Sequence, residues 1–167
     1  MMITKPVRRL FAALVGAVLS TFVATAADLS TPVPEADVTL GKIKTIFETA
    51  LMKAEFDEDG DLKIEENGVK TFVRVNKEKK LITFFSLWRL KAGVPEAKKL
   101  EFVNTLNNRL ICVRFSMLKP TTLCCDYQFL YEGGITPYAI LNSYRMFMKV
   151  TTGAVSAHDP DDIIGSD

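Results

Sequence analysis

The sequence holds one histidine, one tryptophan and three cysteines in 167 residues, and these shortages exclude several kinds of chemistry. The single histidine, His158, sits in an Asp-rich stretch near the end of the chain. A Ser-His-Asp or Cys-His site needs its base on a rigid scaffold, which such a tail does not supply. No Gly-rich phosphate loop of the required form occurs. Neither sign of charge is in excess: 21 Lys and Arg stand against 20 Asp and Glu. Nucleic acid, which calls for a clustered basic face, is therefore disfavoured as a partner. No internal repeat appears, which removes solenoids and propellers. No two carboxylates share an apolar setting suited to acid–base work, and Glu132, beside Gly133-Gly134, reads as a strand-end charge. The sequence thus assigns no catalytic residue, no cofactor and no enzymatic activity.

What is present begins with an N-terminus of secretory type. Lys5, Arg8 and Arg9 form a positive region, Leu10 to Val23 an apolar one, and Ala24-Thr25-Ala26 a small-x-small cleavage pattern. The expected cut lies between Ala26 and Ala27, which places the mature protein in the periplasm or outside the cell. The apolar run falls at the short end for a span of about 20 residues, and no later run reaches that length. No stable membrane anchor is expected after cleavage. Removing residues 1–26 takes away three basic groups and no acidic one, leaving a net charge of about −2.

Residues 27–37, with two prolines, read as a flexible lead-in to one domain over residues 38–155. Leu40, Ile43, Phe47 and Leu51 recur at helical spacing, with Thr39 or Asp37 able to cap the start. Glu55 to Asp61 is an acidic turn. Leu62 to Glu65, Val69 to Val75 and Leu81 to Leu90 follow as strands, with Asn67-Gly68 a hairpin signal between the first two. Pro95 suits the first turn of a second helix running to about Asn107, with Leu100, Val103 and Leu106 as its buried stripe. Lys77, Lys79 and Lys80 read as a solvated turn, and Asn104 and Asn107 as partners for helix-end backbone.

Arg109 to Met117 and Leu123 to Tyr131 form a second hairpin, and Thr136-Pro137 opens a last helix as an N-cap and N1 pair. Residues 156–167 read as a disordered acidic tail. The order α-βββ-α-ββ-α predicts an α+β fold, an antiparallel sheet with flanking helices.

An odd number of cysteines leaves at least one unpaired. If Arg114 lies opposite Asp126, Cys112 faces Gln128 and Cys124 faces Ser116. Cys112 and Cys124 are then about 13 Å apart at strand rise, too far for a disulfide. Cys124 and Cys125 point to opposite faces of one strand, so three free thiols are expected.

The one metal-like pattern runs from Glu55 to Glu66 and sets Asp57, Asp59, Asp61 and Glu66 at spacings like those of a calcium loop, with Gly60 at the sharp turn. The helix that should leave such a loop is replaced by the Asn67-Gly68 hairpin, so a solvated acidic turn competes with calcium or small-ligand sensing. Phe84, Phe85, Trp88 and Leu90 make their strand apolar on both faces. They mark either a fully buried central strand or a partner-binding or dimer surface.

Taken in order, Asp57-x-Asp59-Gly60-Asp61 before a strand, an aromatic strand ending near Trp88, Asn104-x-x-Asn107 closing a helix, and Gly133-Gly134-Ile-Thr opening the last one resemble the YbjN family of bacterial sensory transduction regulators over about Leu40 to Val155. The resemblance implies a fold like that of type III secretion chaperones, protein partners, and a domain able to form a homodimer. It brings no catalytic residues. The acidic Asp-Gly turn the family carries between its last two strands is Lys119-Pro120-Thr121 here, which speaks against a site shared by two acidic turns. The expected function is an exported, non-enzymatic binding, regulatory or chaperone-like protein.

Overall fold

The computed structural model describes residues 28–159 and 161–165; the expected signal peptide, residues 1–26, lies outside the described residues. The chain forms α1 (Leu40–Thr49), β1 (Ala54–Phe56), β2 (Leu62–Glu66), β3 (Val69–Asn76), β4 (Leu81–Arg89), α2 (Glu96–Arg109), β5 (Arg114–Lys119), β6 (Thr122–Leu130) and α3 (Pro137–Ala157). All strand pairs are antiparallel, in the order β1-β2-β3-β4-β6-β5. This is the expected α+β architecture with one strand more than the sequence predicted. The Glu55–Asp61 run is not wholly turn, because Ala54–Phe56 pairs with Leu62–Ile64 across it.

Alternation along the strands divides the sheet into two faces. Leu62, Ile64, Val73, Ile82, Phe84, Phe115, Leu123 and Cys125 point to the inner face and are buried. Phe84 stands at its centre, 5.3 Å from Phe129, 5.9 Å from Tyr144, 6.2 Å from Phe147 and 6.4 Å from Phe47, ring centre to ring centre. Helices α1 and α3 supply three of those rings. α3 is capped as predicted, the Thr136 hydroxyl accepting from the Ala139 N–H at 3.1 Å with Pro137 in the first turn.

The Asn67-Gly68 hairpin also forms as predicted. Both residues have positive φ, 52° and 79°, as a two-residue turn matching the strand twist requires.

Several expectations need correction. Leu51 does not join the buried stripe of α1; it is 96% exposed with φ 61°. The helix ends in a Schellman motif, Met52 N–H to Phe47 O and Leu51 N–H to Glu48 O, both 2.9 Å. Leu51 occupies its left-handed position and so leaves the helical periodicity.

In α2 the buried positions are Lys99, Phe102, Val103 and Leu106, while Leu100 is half exposed. The helix is rotated from the predicted stripe because Lys99 buries its stem and donates from Nζ to Pro120 O at 2.6 Å, tying α2 to the β5–β6 turn. Pro95 precedes that helix as its N-cap rather than entering its first turn.

The strand predicted from Arg109 starts only at Arg114. α2 runs on to Arg109, and Cys112, at φ 73°, turns the chain, which leaves Ile111 exposed. Asn107 then closes the outer edge of β5: its side chain accepts from Phe115 N–H at 2.9 Å and donates to Phe115 O at 2.8 Å. One amide thereby satisfies the edge strand's backbone as a neighbouring strand would.

The lead-in, residues 28–37, is pinned rather than free. Val33 pairs with Ile135, and Glu35 accepts from Gly133 N–H and pairs with Lys80. The described part of the C-terminal stretch is ordered against expectation. Asp159 accepts from the N–H groups of Ile163 and Ile164 at 2.7 and 2.8 Å, and Ile164 bridges to Leu90. Ile163 and Ile164 are buried, which gives the segment its reason to stay folded.

Candidate functional site

Among the described residues no helix is long and apolar enough to cross a membrane. The helices cover the inner face of the sheet, and the outer face carries an open cavity of about 420 Å³. One row crosses four strands there: Phe72, Phe85, Asp126 and Arg114 are successive register partners. Phe72 and Phe85 stack at 5.2 Å and 23° and form the apolar floor, which Leu87 extends and Leu118 borders.

Two ion pairs flank that floor. Arg74 donates from Nε and Nη2 to the two carboxylate oxygens of Asp61, Nε to Oδ1 at 2.9 Å, and lies 5.1 Å above the Phe85 ring. Arg114 donates from Nε to Asp126 at 2.9 Å. In each pair the carboxylate is nearly buried while the arginine side chain is largely exposed, 61% for Arg74 and 68% for Arg114. The side-chain hydrogen bond to Asp61 holds the Arg74 pKa above its ordinary value, and the bond to Asp126 does the same for Arg114. These guanidiniums stay charged, are held in place from below, and keep free N–H groups toward solvent. An aromatic floor between oriented, half-exposed arginines can dock apolar and hydrogen-bonding side chains.

Cys124 also belongs to this face, opposite Ser116 and next to Leu87 in register, as the Arg114–Asp126 pairing requires. Burial, with the negative charge of Asp126 adding to it, raises its thiol to about 11. Burial likewise pushes the inner-face Cys125 thiol up. All three thiols are free, and Cys112 is exposed at the corner before β5 rather than paired opposite Gln128. A thiol protonated at neutral pH is a poor nucleophile.

Of the metal-like residues, Asp57, Asp59 and Asp61 border the outer-face cavity together, while Glu66 lies apart from them. Asp57 Oδ1 accepts from the N–H groups of Asp59 and Asp61, the pattern of a self-capped turn, while Asp61 is engaged by Arg74. Glu66 lies at the far end of β2, accepting from the Tyr144 hydroxyl at 3.1 Å. Among the described residues no group of three or more His, Cys, Asp or Glu side chains is placed to hold a metal ion.

The apolar strand divides as well. Phe84 and Leu90 are core residues and Trp88 is half-buried on the inner face, so of the four expected partner-binding residues only Phe85 faces outward. The side chains that shape this face and that sequence reasoning missed are Phe72, Arg74, Leu87 and Arg114. Alternation alone would have put Phe72 and Arg74 on one side, but which side the helices cover is not encoded in alternation.

The chain matches the YbjN family, described as "Putative bacterial sensory transduction regulator", over residues 39–156. No curated protein sequence matches it. Its fold is similar to that of YbjN from E. coli, with TM-score 0.65 and 10% identity, covering 77% of this chain and 96% of that one. It is also similar to a chain of the HopA1–SchA chaperone–effector complex, with TM-score 0.51 and 11% identity over 69% of this chain and 91% of that one. The Yersinia pestis type III secretion chaperone SycH, with a stable fragment of YscM2, aligns at TM-score 0.42 and 16% identity over 68% and 94% of the two chains. From its inner aromatic core to the family match over most of its length, this chain belongs to the YbjN family.

Proposed function

We propose that this protein is a non-enzymatic binding protein, regulatory or chaperone-like, that docks a protein partner on the outer face of its sheet. The observation that carries this reading is the open floor of stacked Phe72 and Phe85 between Arg74–Asp61 and Arg114–Asp126. Aromatic and arginine side chains are the types enriched where protein partners bind. The likeness of the fold to a chain from a chaperone–effector complex points the same way. A periplasmic or extracellular site of action, after cleavage near Ala26-Ala27, is part of this reading and is supported by the secretory pattern of the N-terminal sequence. A second copy of the chain is one partner the face could take.

Affinity capture from crosslinked cells tests the reading. Wild type is compared with Phe85→Asp and Leu87→Asp on the outer face and with Arg145→Asp on the exposed side of α3. The expected result is a reproducible partner, or self-crosslinked dimer, lost in both outer-face variants and kept in Arg145→Asp. A partner retained by folded Phe85→Asp and Leu87→Asp proteins would remove the outer face from the account.

A further inference from the structure

β4 runs further than the strand on one side of it. Its register with β3 ends at Phe72–Phe85, whereas its register with β6 continues to Arg89–Thr122. Backbone groups along a paired strand point to alternate sides. The Leu90 N–H is spent toward β6, on Thr121 O at 2.9 Å. Leu87, Arg89 and Lys91 therefore turn their backbone groups to the side that β3 has left. This stretch of β4 is a sheet edge inside the molecule.

The chain's own C-terminal segment takes part of that edge. Ile164 bridges antiparallel to Leu90, the Lys91 N–H donates to Ile163 O at 2.9 Å, and the Gly165 N–H donates to Arg89 O at 3.0 Å. The seat is also selective for side chains. Ile163 and Ile164 are both buried, and a Cβ added at position 165 would lie 3.3 Å from the Arg89 stem. Main-chain pairing with pockets for particular side chains is how a sheet edge recognises an added strand. Here the pattern accepted is apolar-apolar-glycine.

The slot is longer than this occupant. Among the described residues, Leu87 on β4 and Lys70 on β3, the next pair beyond Phe85 and Phe72, have no strand pairing between them. An open cavity of about 460 Å³ lies there, bounded by Gly68 and Lys70, by Leu87 and Arg89, and by Ile164 and Gly165. Strand backbone facing a cleft offers donors and acceptors to a further extended chain.

We propose that the edge of β4 from Leu87 to Lys91 is a binding slot for an extended peptide segment of pattern apolar-apolar-glycine, with Ile163–Gly165 as its resident competitor. A partner strand that runs on past its glycine reaches Leu87 and Lys70 and gains pairing that Ile163–Gly165 does not make. The resident segment, present at high effective concentration because it is tethered, turns away strands that match the slot poorly.

The probe is a fluorescein-labelled peptide copying residues 159–167, which keeps the Asp159 cap on the two isoleucine N–H groups. It is titrated by fluorescence polarisation into the full chain, as wild type and as Ile163→Asp with Ile164→Asp, which empties the slot. Saturable binding to the emptied chain is expected, roughly tenfold or more tighter than to wild type, where the tethered segment competes. The bound peptide should also restore protection of the Lys91 N–H against hydrogen exchange. N-methylation of the peptide's glycine removes the N–H that Arg89 O accepts and should weaken binding roughly fivefold. Gly165→Pro, which removes the same N–H from the chain, frees the segment with no buried charge and serves if the double variant does not fold. No saturable binding to a folded, emptied chain, equal binding to wild type, binding that leaves Lys91 unprotected, or indifference to N-methylation would each overturn the proposal.

Discussion

Replacing Arg74 by alanine should destabilise the protein by about 2 kcal/mol, although the side chain is largely exposed. The magnitude is built from three contributions. Asp61 is only 6% exposed, and losing its two guanidinium donors leaves a carboxylate short of partners, at about 1 kcal/mol. The Coulomb part of the pair is held to roughly 0.2–1 kcal/mol, because water screens the exposed guanidinium. The contact over Phe85 adds about 0.5–1 kcal/mol. Arg114 donates one hydrogen bond to Asp126 and, among the described residues, lies over no ring, so Arg114→Ala should cost about half as much, near 1 kcal/mol. Urea unfolding of the two variants against wild type measures both values. An Arg74→Ala cost below 0.5 kcal/mol, or one no larger than that of Arg114→Ala, would refute the view that buried carboxylates anchor these arginines to the face.

Leu51→Gly should stabilise by about 0.5–1 kcal/mol in urea unfolding, since it removes a left-handed leucine and loses no burial. Phe84→Ala should cost about 3–5 kcal/mol by the same measurement, because its ring is shared among α1, α3 and β6. A thiol reagent at pH 8 should modify Cys112 quickly and Cys124 and Cys125 only on unfolding. The Cys124 pKa is raised by folding from 9.0 to about 11, so its contribution to stability is full below pH 9 and is lost as pH rises toward 11. Thiol titration against pH, with Cys112→Ser as background, should follow that higher value. Replacing Ile163 and Ile164 together by alanine should cost about 2–4 kcal/mol and increase hydrogen exchange at Lys91, whose N–H bonds to Ile163 O, whereas a free tail would show neither effect.

Much of the fold was legible because its signals are local. Thr136-Pro137, Thr39 and Asn67-Gly68 each carry the chemistry of one helix start or turn, and all three appear where their side chains require. The Arg114–Asp126 register was readable because opposite charges pair across strands. What failed depended on tertiary contacts. Lys99 is charged, so its place in the α2 core shows only once Pro120 O is there to receive it. Leu51 fits a helical stripe until the Schellman motif takes it out of register.

The segment around Ile163-Ile164 looks like tail because two isoleucines among aspartates form no period; Leu90 and Asp159 give them their place. The docking face was only partly visible for a similar reason. Phe85 was singled out for its apolar strand, but Arg74 and Arg114 become part of one face only when β3, β4, β6 and β5 align.

The outer face is tested most directly by a photo-crosslinking amino acid placed at position 85 and, as a control, at position 145 on α3. The account predicts that position 85 yields a discrete crosslinked species in cells, either to one partner or to a second copy, and that position 145 does not. Crosslinks from position 145 with none from position 85 would contradict it and move the binding surface to the helices.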